Sequence, residues 1–164
     1  MQIQLVPTTA EQAPLIANLY QYYAYESSDW EGEDVEADGL FYLHQPHLQR
    51  YWQEPDWSAS LILADGFIAG FLLIERSELA GLDALEFADL FVLKRYRRHG
   101  IGRALAEQIL GSGDEAWLLR FHPQDELATA FWQAVLPRLP RPARQIALDD
   151  EPELINYLIT PLAH

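Results

Sequence analysis

The most constraining stretch of the chain runs from Leu90 to Leu110. An apolar run, Leu90-Phe91-Val92-Leu93, leads to a basic break punctuated by glycines, Arg97-Arg98-His99-Gly100-Ile101-Gly102, and then to helical spacing at Ile101, Ala104, Leu105 and Ile109. A strand that turns through glycines into a helix is a unit of α/β folds. It gathers unpaired backbone N–H groups at one point, where the helix dipole also favours negative charge. Gly100 and Gly102 admit positive φ or the close approach of an anion to the backbone. Five of the eleven basic residues, Lys94, Arg95, Arg97, Arg98 and Arg103, crowd around this break in a chain of formal net charge −14. The pattern points to a pyrophosphate cradle.

Two familiar phosphate loops do not fit. A Walker loop ends in Gly-Lys-Ser/Thr, whereas this helix opens Gly102-Arg103-Ala104, and a dinucleotide fingerprint would place its third glycine where Leu105 stands. The spacing that does fit is Arg97-x-x-Gly100-x-Gly102, set between a strand and a helix. On these residues the sequence resembles the GNAT superfamily of acyl-CoA-dependent N-acyltransferases, and within it bacterial acetyltransferases of unassigned substrate.

The rest of the chain supplies the other elements. Ile3 and Leu5 alternate with Gln2 and Gln4 as a first strand, closed by Val6-Pro7. Thr8 or Thr9 with Glu11 or Gln12 forms a capping-box pattern before a helix striped by Leu15, Ile16, Leu19 and Tyr23. Residues 26–38, with acids at Glu26, Asp29, Glu31, Glu33, Asp34, Glu36 and Asp38, read as a loop, and Phe41 to Trp52 as a second, shorter helix. Ser58 to Ala64 and Phe67 to Glu75 form a predicted hairpin around Asp65-Gly66, a type I′ turn pair. Leu85 to Leu93, apolar on both faces, is expected as a central strand, and Gly111-Ser112-Gly113 stops the helix that follows the basic loop. Ala116 to Phe121 is a further strand. Asp125 caps a helix with inner face Ala128, Phe131, Trp132 and Val135, and two strands near Arg144 to Ala147 and Leu154 to Ile159 end the series. The expected fold is one α/β domain over residues 1–164. The resemblance makes it a GNAT-like mixed, mostly antiparallel central sheet flanked by helices, with a splayed cofactor cleft.

Composition narrows the function classes. With no cysteine there is no disulfide, no thiolate metal site and no acyl-thiol enzyme intermediate, so transfer to an acceptor would be direct. The acidic balance disfavours nucleic acid. No apolar run approaches the ~20 residues of a membrane span, and the start Met1-Gln2-Ile3-Gln4 lacks the basic residues of a signal peptide, so no membrane association and a cytoplasmic location are expected. No metal is expected: Pro46 disfavours the helical face that a His44 and His47 pair would use, and Gly111-Ser112-Gly113 is not the nucleophile elbow G-x-S-x-G.

The resemblance implies acetyl-CoA as co-substrate. It puts the amides of Arg98, His99, Gly100, Ile101, Gly102 and Arg103 on the pyrophosphate, with Arg97 as loop brace or phosphate contact. The run Leu90, Phe91, Val92 and Leu93 would follow the pantetheine arm, with the main chain of Leu90 and Val92 pairing with it. The amide of Leu90 would polarise the thioester carbonyl, a contribution of about 3 to 4 kcal/mol for such a donor. Asp125, Phe131 and Trp132 fall on a second family element, N-x-x-A-x-x-F-Y, with two departures. Asp125 replaces the usual Asn and serves as a helix cap. Trp132 replaces the tyrosine that reprotonates the departing thiolate, a role left to Tyr157 or water.

An alkylammonium must lose a proton before it attacks, which at neutral pH costs roughly 4 to 5 kcal/mol from a pKa near ~10.4. Glu86 and Asp89 interrupt the apolar strand as candidate bases, on opposite faces if the strand is regular. Tyr20, Tyr22, Tyr23, Tyr25 and Trp30 interleave with Glu26, Asp29, Glu31, Glu33 and Asp34, a combination that suits an ammonium group and also suits a packed helix beside a solvated loop. The expected acceptor is an amine of a small molecule or peptide, one that could be cationic, and the resemblance is compatible with a homodimer. Asp125 and Trp132 keep a second reading open, a non-catalytic module that senses CoA or acyl-CoA.

Overall fold

A computed structural model describes residues 1–161. Among them seven strands form one sheet: β1 (Ile3–Pro7), β2 (Ser58–Ala64), β3 (Phe67–Arg76), β4 (Leu85–Val92), β5 (Trp117–Phe121), β6 (Ala143–Ile146) and β7 (Ile155–Ile159). The order is β1-β2-β3-β4-β5-β7-β6, with β4 and β5 parallel and the outer pairs β1–β2, β2–β3, β5–β7 and β6–β7 antiparallel. The helices are α1 (Ala13–Glu31), α2 (Gln45–Gln53), α3 (Ile101–Leu110) and α4 (Glu126–Val135). This is the mixed, mostly antiparallel α/β architecture expected. The chain divides into two compact units, Met1–Ile74 with Asp89–Tyr96, and Glu75–Ala88 with Arg97 onward. The second half of β4 thus belongs to the first unit and its first half to the second.

In the first unit, the Thr9 N–H donates to Gln12 Oε1 at 2.9 Å, half of the capping box that starts the α1 region. Ile16 and Leu19 of α1 are buried, as are Ile62, Phe71 and Leu72 of the sheet. The β2–β3 hairpin turns at Asp65 (φ 50°) and Gly66 (φ 84°), the paired left-handed conformations of a type I′ turn. Gly70, inside β3, is required by close approach: a Cβ there would stand 1.9 Å from the carbonyl oxygen of Phe91.

Two expectations are corrected in this unit. The acidic stretch from Glu26 to Glu31 is helix, not loop; α1 continues to Glu31 and stops where Gly32 takes φ 66°. The Ser28 hydroxyl donates back to the carbonyl of Tyr25 at 2.7 Å, so the polar residues are accommodated within the helical turn. The second helix begins at Gln45 and not at Phe41, because Pro46 occupies its first turn, where a missing N–H costs nothing. The segment before it is fixed from the side: Phe41 donates its N–H to Gln21 Oε1 at 2.8 Å, and Gln21 Nε2 donates to the Phe41 carbonyl at 3.0 Å.

In the second unit the register sorts side chains onto two faces. Phe87 meets Trp117 and Trp132 edge-on, with ring centroids 6.3 and 5.5 Å apart, which identifies the face covered by α4. The opposite face carries a small core of Ala84, Leu118 and Leu158. Arg141, only 2 % exposed, binds main-chain carbonyls with all of its forked head. Its Nη1 donates to Leu110 at 3.2 Å and Ser112 at 3.1 Å, Nε donates to Thr160 at 3.2 Å, and Nη2 donates to Glu115. A cation is thereby held at the carbonyl end of α3, where the dipole favours it.

Candidate active site

The basic loop has the geometry of an anion cradle. Arg98 and Gly100 both take left-handed backbone conformations, φ 68° and 74°. Alternating left-handed residues of this kind turn successive N–H groups toward one side, and a non-glycine residue held there stores about 1 kcal/mol or more of strain. Gly100 is the N-cap of α3 and brings no side chain to the first turn, so no side-chain cap occupies the amides that follow it. A Cβ at Gly100 would meet nothing within 4 Å, so the space beside the loop is open. Arg98, His99 and Arg103 are exposed and Arg97 is half-buried, while Arg103 Nε lies 4.0 Å from Glu107 Oε1. Backbone donors, an open approach and surrounding positive charge fit a pyrophosphate group.

The β4–β5 ladder joins Leu85 with Trp117 and Glu86 with Leu118. In the first unit, Phe91 is buried against Tyr23, with ring centroids 5.8 Å apart, and Leu90, Val92 and Leu93 are half-buried.

The two candidate bases have different surroundings. Glu86 stands on the face of Leu118 and Arg120 and accepts a hydrogen bond from Arg120 Nε at 2.6 Å. Its side chain is 12 % exposed. Burial pushes its carboxyl above the usual range, and the Arg120 charge and hydrogen bond offset part of that rise. Arg120 Nη1 also donates to Asp150 Oδ2 at 2.7 Å, and that bond holds Asp150 below the usual range. Asp89 belongs to the first unit and lines a cavity of about 250 Å³ with Tyr20, Tyr23, Trp30, Glu31 and Glu33.

Of the second family element, Asp125 is the helix cap expected, its Oδ1 accepting the Ala128 N–H at 3.0 Å. Trp132 is 7 % exposed and packed edge-on to both Phe87 and Phe131. Tyr157 stacks on Phe121 at 6.4 Å and 10°. It lies opposite Leu119 in the ladder, on the α4 face. Sequence reasoning missed Arg120, Gln21, Gly70 and Arg141. Only Gly70 left a signal, a glycine inside an apolar strand.

A profile described as the acetyltransferase (GNAT) family matches residues 19–136, which include the whole of the basic loop and α4. The chain belongs to the GNAT acetyltransferase family. Solved structures agree on the fold at low identity. An acetyltransferase from Thermus thermophilus is 20 % identical with a TM-score of 0.68 over 99 % of this chain and 98 % of that one. Diaminobutyrate acetyltransferase EctA from Paenibacillus lautus, in complex with L-2,4-diaminobutyric acid and coenzyme A, is 13 % identical with a TM-score of 0.66 over 99 % and 97 %. The PaiA N-acetyltransferase from Thermoplasma acidophilum, in complex with coenzyme A, is 16 % identical with a TM-score of 0.61 over 98 % and 99 %. No curated protein sequence matches the chain. As in other GNAT proteins, then, acyl transfer is the general chemistry. Among the described residues no helix is long and apolar enough to cross a membrane.

Proposed function

We propose that this GNAT protein transfers an acetyl group from acetyl-CoA to an amine by direct attack. The observation that carries the reading is the loop at the start of α3, where Arg98 and Gly100 hold left-handed conformations and the first turn has no side-chain cap. The amides from Arg98 to Arg103 take the pyrophosphate, Arg97 braces the loop, and the main chain of Leu90 and Val92 takes the pantetheine arm. The Leu90 N–H faces the thioester oxygen, where charge grows in the transition state.

Proton removal falls to a carboxylate of β4, directly or through water. Glu86 is the candidate whose burial raises its proton affinity, which brings a carboxyl toward the range a general base needs. Asp89 is the alternative, beside the acidic and aromatic cavity. The thiol leaves as thiolate at modest cost, since its pKa is about 8.5. Tyr157 or water then returns a proton, because an indole such as that of Trp132 is too weak an acid. Coenzyme A in the EctA and PaiA complexes is consistent with this donor.

Release of free CoA thiol from acetyl-CoA, measured across a panel of amines, tests the activity. Amine-dependent release is expected. The buried, core-packed Trp132 favours the second reading, a protein that holds CoA without turnover, and saturable acetyl-CoA binding with no thiol release for any amine would establish that reading instead.

A further inference from the structure

We propose that Arg120 is the positioning residue of the base: it holds Glu86 by one carboxylate oxygen, keeps the buried group ionised, and leaves the other oxygen to take the acceptor's proton. The inference rests on the acetyl-transfer reading and assigns its base to Glu86.

The sheet register brings the pair together within the second unit. Glu86 lies beside Leu118 in the parallel β4–β5 ladder, and Arg120 follows two residues along β5, on the same face. The guanidinium is fixed on both sides, since Nε donates to Glu86 Oε1 at 2.6 Å and Nη1 donates to Asp150 Oδ2 at 2.7 Å. Both side chains of the inner pair are mostly covered. Among the described residues Arg120 alone donates to the Glu86 carboxylate, so Oε2 keeps its lone pairs for another donor. A fork bound to both oxygens would block proton transfer, whereas here Nη1 is turned to Asp150.

Charge explains why the base needs the arginine. Burial favours the protonated acid, and Glu75 on β3 and Glu151 after β6 push the same way. A carboxyl that stays protonated cannot act as a base. Arg120 opposes all three by its charge and its hydrogen bond, while Asp150 draws on the same cation from the exposed end. In the transfer, the ammonium proton goes to Glu86 Oε2, directly or through water. The freed nitrogen lone pair forms the C–N bond, and the C–S bond breaks with its electrons on the thiolate.

The test is the pH profile of CoA thiol release from acetyl-CoA with a panel of primary amines that includes butylamine, benzylamine and glycinamide, read on the amine that wild type uses fastest. The profile should have an acid limb that disappears in Glu86→Gln. Arg120→Gln should move that limb to higher pH by about 1 to 3 pH units. Arg120→Lys should move it less, because the charge remains without the planar Nε donor. Asp150→Asn should move it to lower pH, since Arg120 then serves Glu86 alone. Acetyl-CoA affinity, titrated separately by calorimetry, should be unchanged in the three variants. A merely structural arginine would change the fraction of folded enzyme and leave the limb where it was. An acid limb at the wild-type pH in folded Arg120→Lys and Asp150→Asn, or one that survives Glu86→Gln, would overturn the proposal and leave the transfer reading standing. No release from wild type with any amine would sink the transfer reading and this role with it, even where acetyl-CoA binds.

Discussion

At the scale of single residues, the Glu86–Arg120 pair joins a buried carboxylate to a guanidinium that also serves Asp150. Arg120→Ala would leave Glu86 buried without its cation, and a loss of roughly 3 to 5 kcal/mol in urea unfolding is expected, against a much smaller effect of Asp150→Asn at the exposed end. The pH dependence separates the two acids. Glu86 has a raised folded-state pKa, so its contribution to stability is fully present below its unfolded pKa and is lost as pH rises through the folded value. Asp150 has a depressed one, so its contribution is present above its unfolded pKa and is lost as pH falls through the folded value. Unfolding measured across the acid range should therefore show wild type losing stability relative to Glu86→Gln as pH rises, and relative to Asp150→Asn as pH falls. Gly70 is the other decisive residue. A methyl group there collides with the Phe91 carbonyl, so Gly70→Ala should cost about 3 kcal/mol or more. It should also weaken acetyl-CoA binding if the Leu90–Leu93 main chain holds the donor.

Among the elements, α3 has a basic, glycine-opened start and an arginine-held end. Arg141→Ala would strand the carbonyls of Leu110, Ser112 and Glu115, with an expected loss of about 3 kcal/mol in unfolding. Arg141→Lys should recover only part, because an ammonium lacks the planar fork. How far each element was legible follows from what its residues face. The strands, the hairpin, α3 and α4 showed themselves through apolar period, Asp65-Gly66 and the Asp125 cap, all local signals. The last turns of α1 did not, because their inward stripe is tyrosine, serine, tryptophan and glutamate lining a cavity, which apolar periodicity does not register. The turn at the start of α3 was legible because its form depends on backbone and glycine, with Arg98 and Gly100 at positive φ. Arg120 was not, since its tie to Glu86 depends on the β4–β5 register, and Arg141 was not, since its partners are carbonyls that every residue possesses.

For the whole molecule, the formal charge of −14 repels a polyanionic cofactor at long range. On the proposed reading, the cluster from Lys94 to Arg103 offsets that repulsion locally and the loop itself holds the donor. The central claim is accordingly that the Arg97–Gly102 loop binds the pyrophosphate of acetyl-CoA. Calorimetric titration of acetyl-CoA into wild type and Gly100→Val tests it, with thermal unfolding of both proteins alongside. The side chain at position 100 enters open space, so the variant should stay folded, with a strain cost of about 1 to 3 kcal/mol from the left-handed φ. One-to-one binding by wild type that is lost in the folded variant is the expected result. No saturable heat with wild type, or equal affinity in Gly100→Val, would contradict the claim.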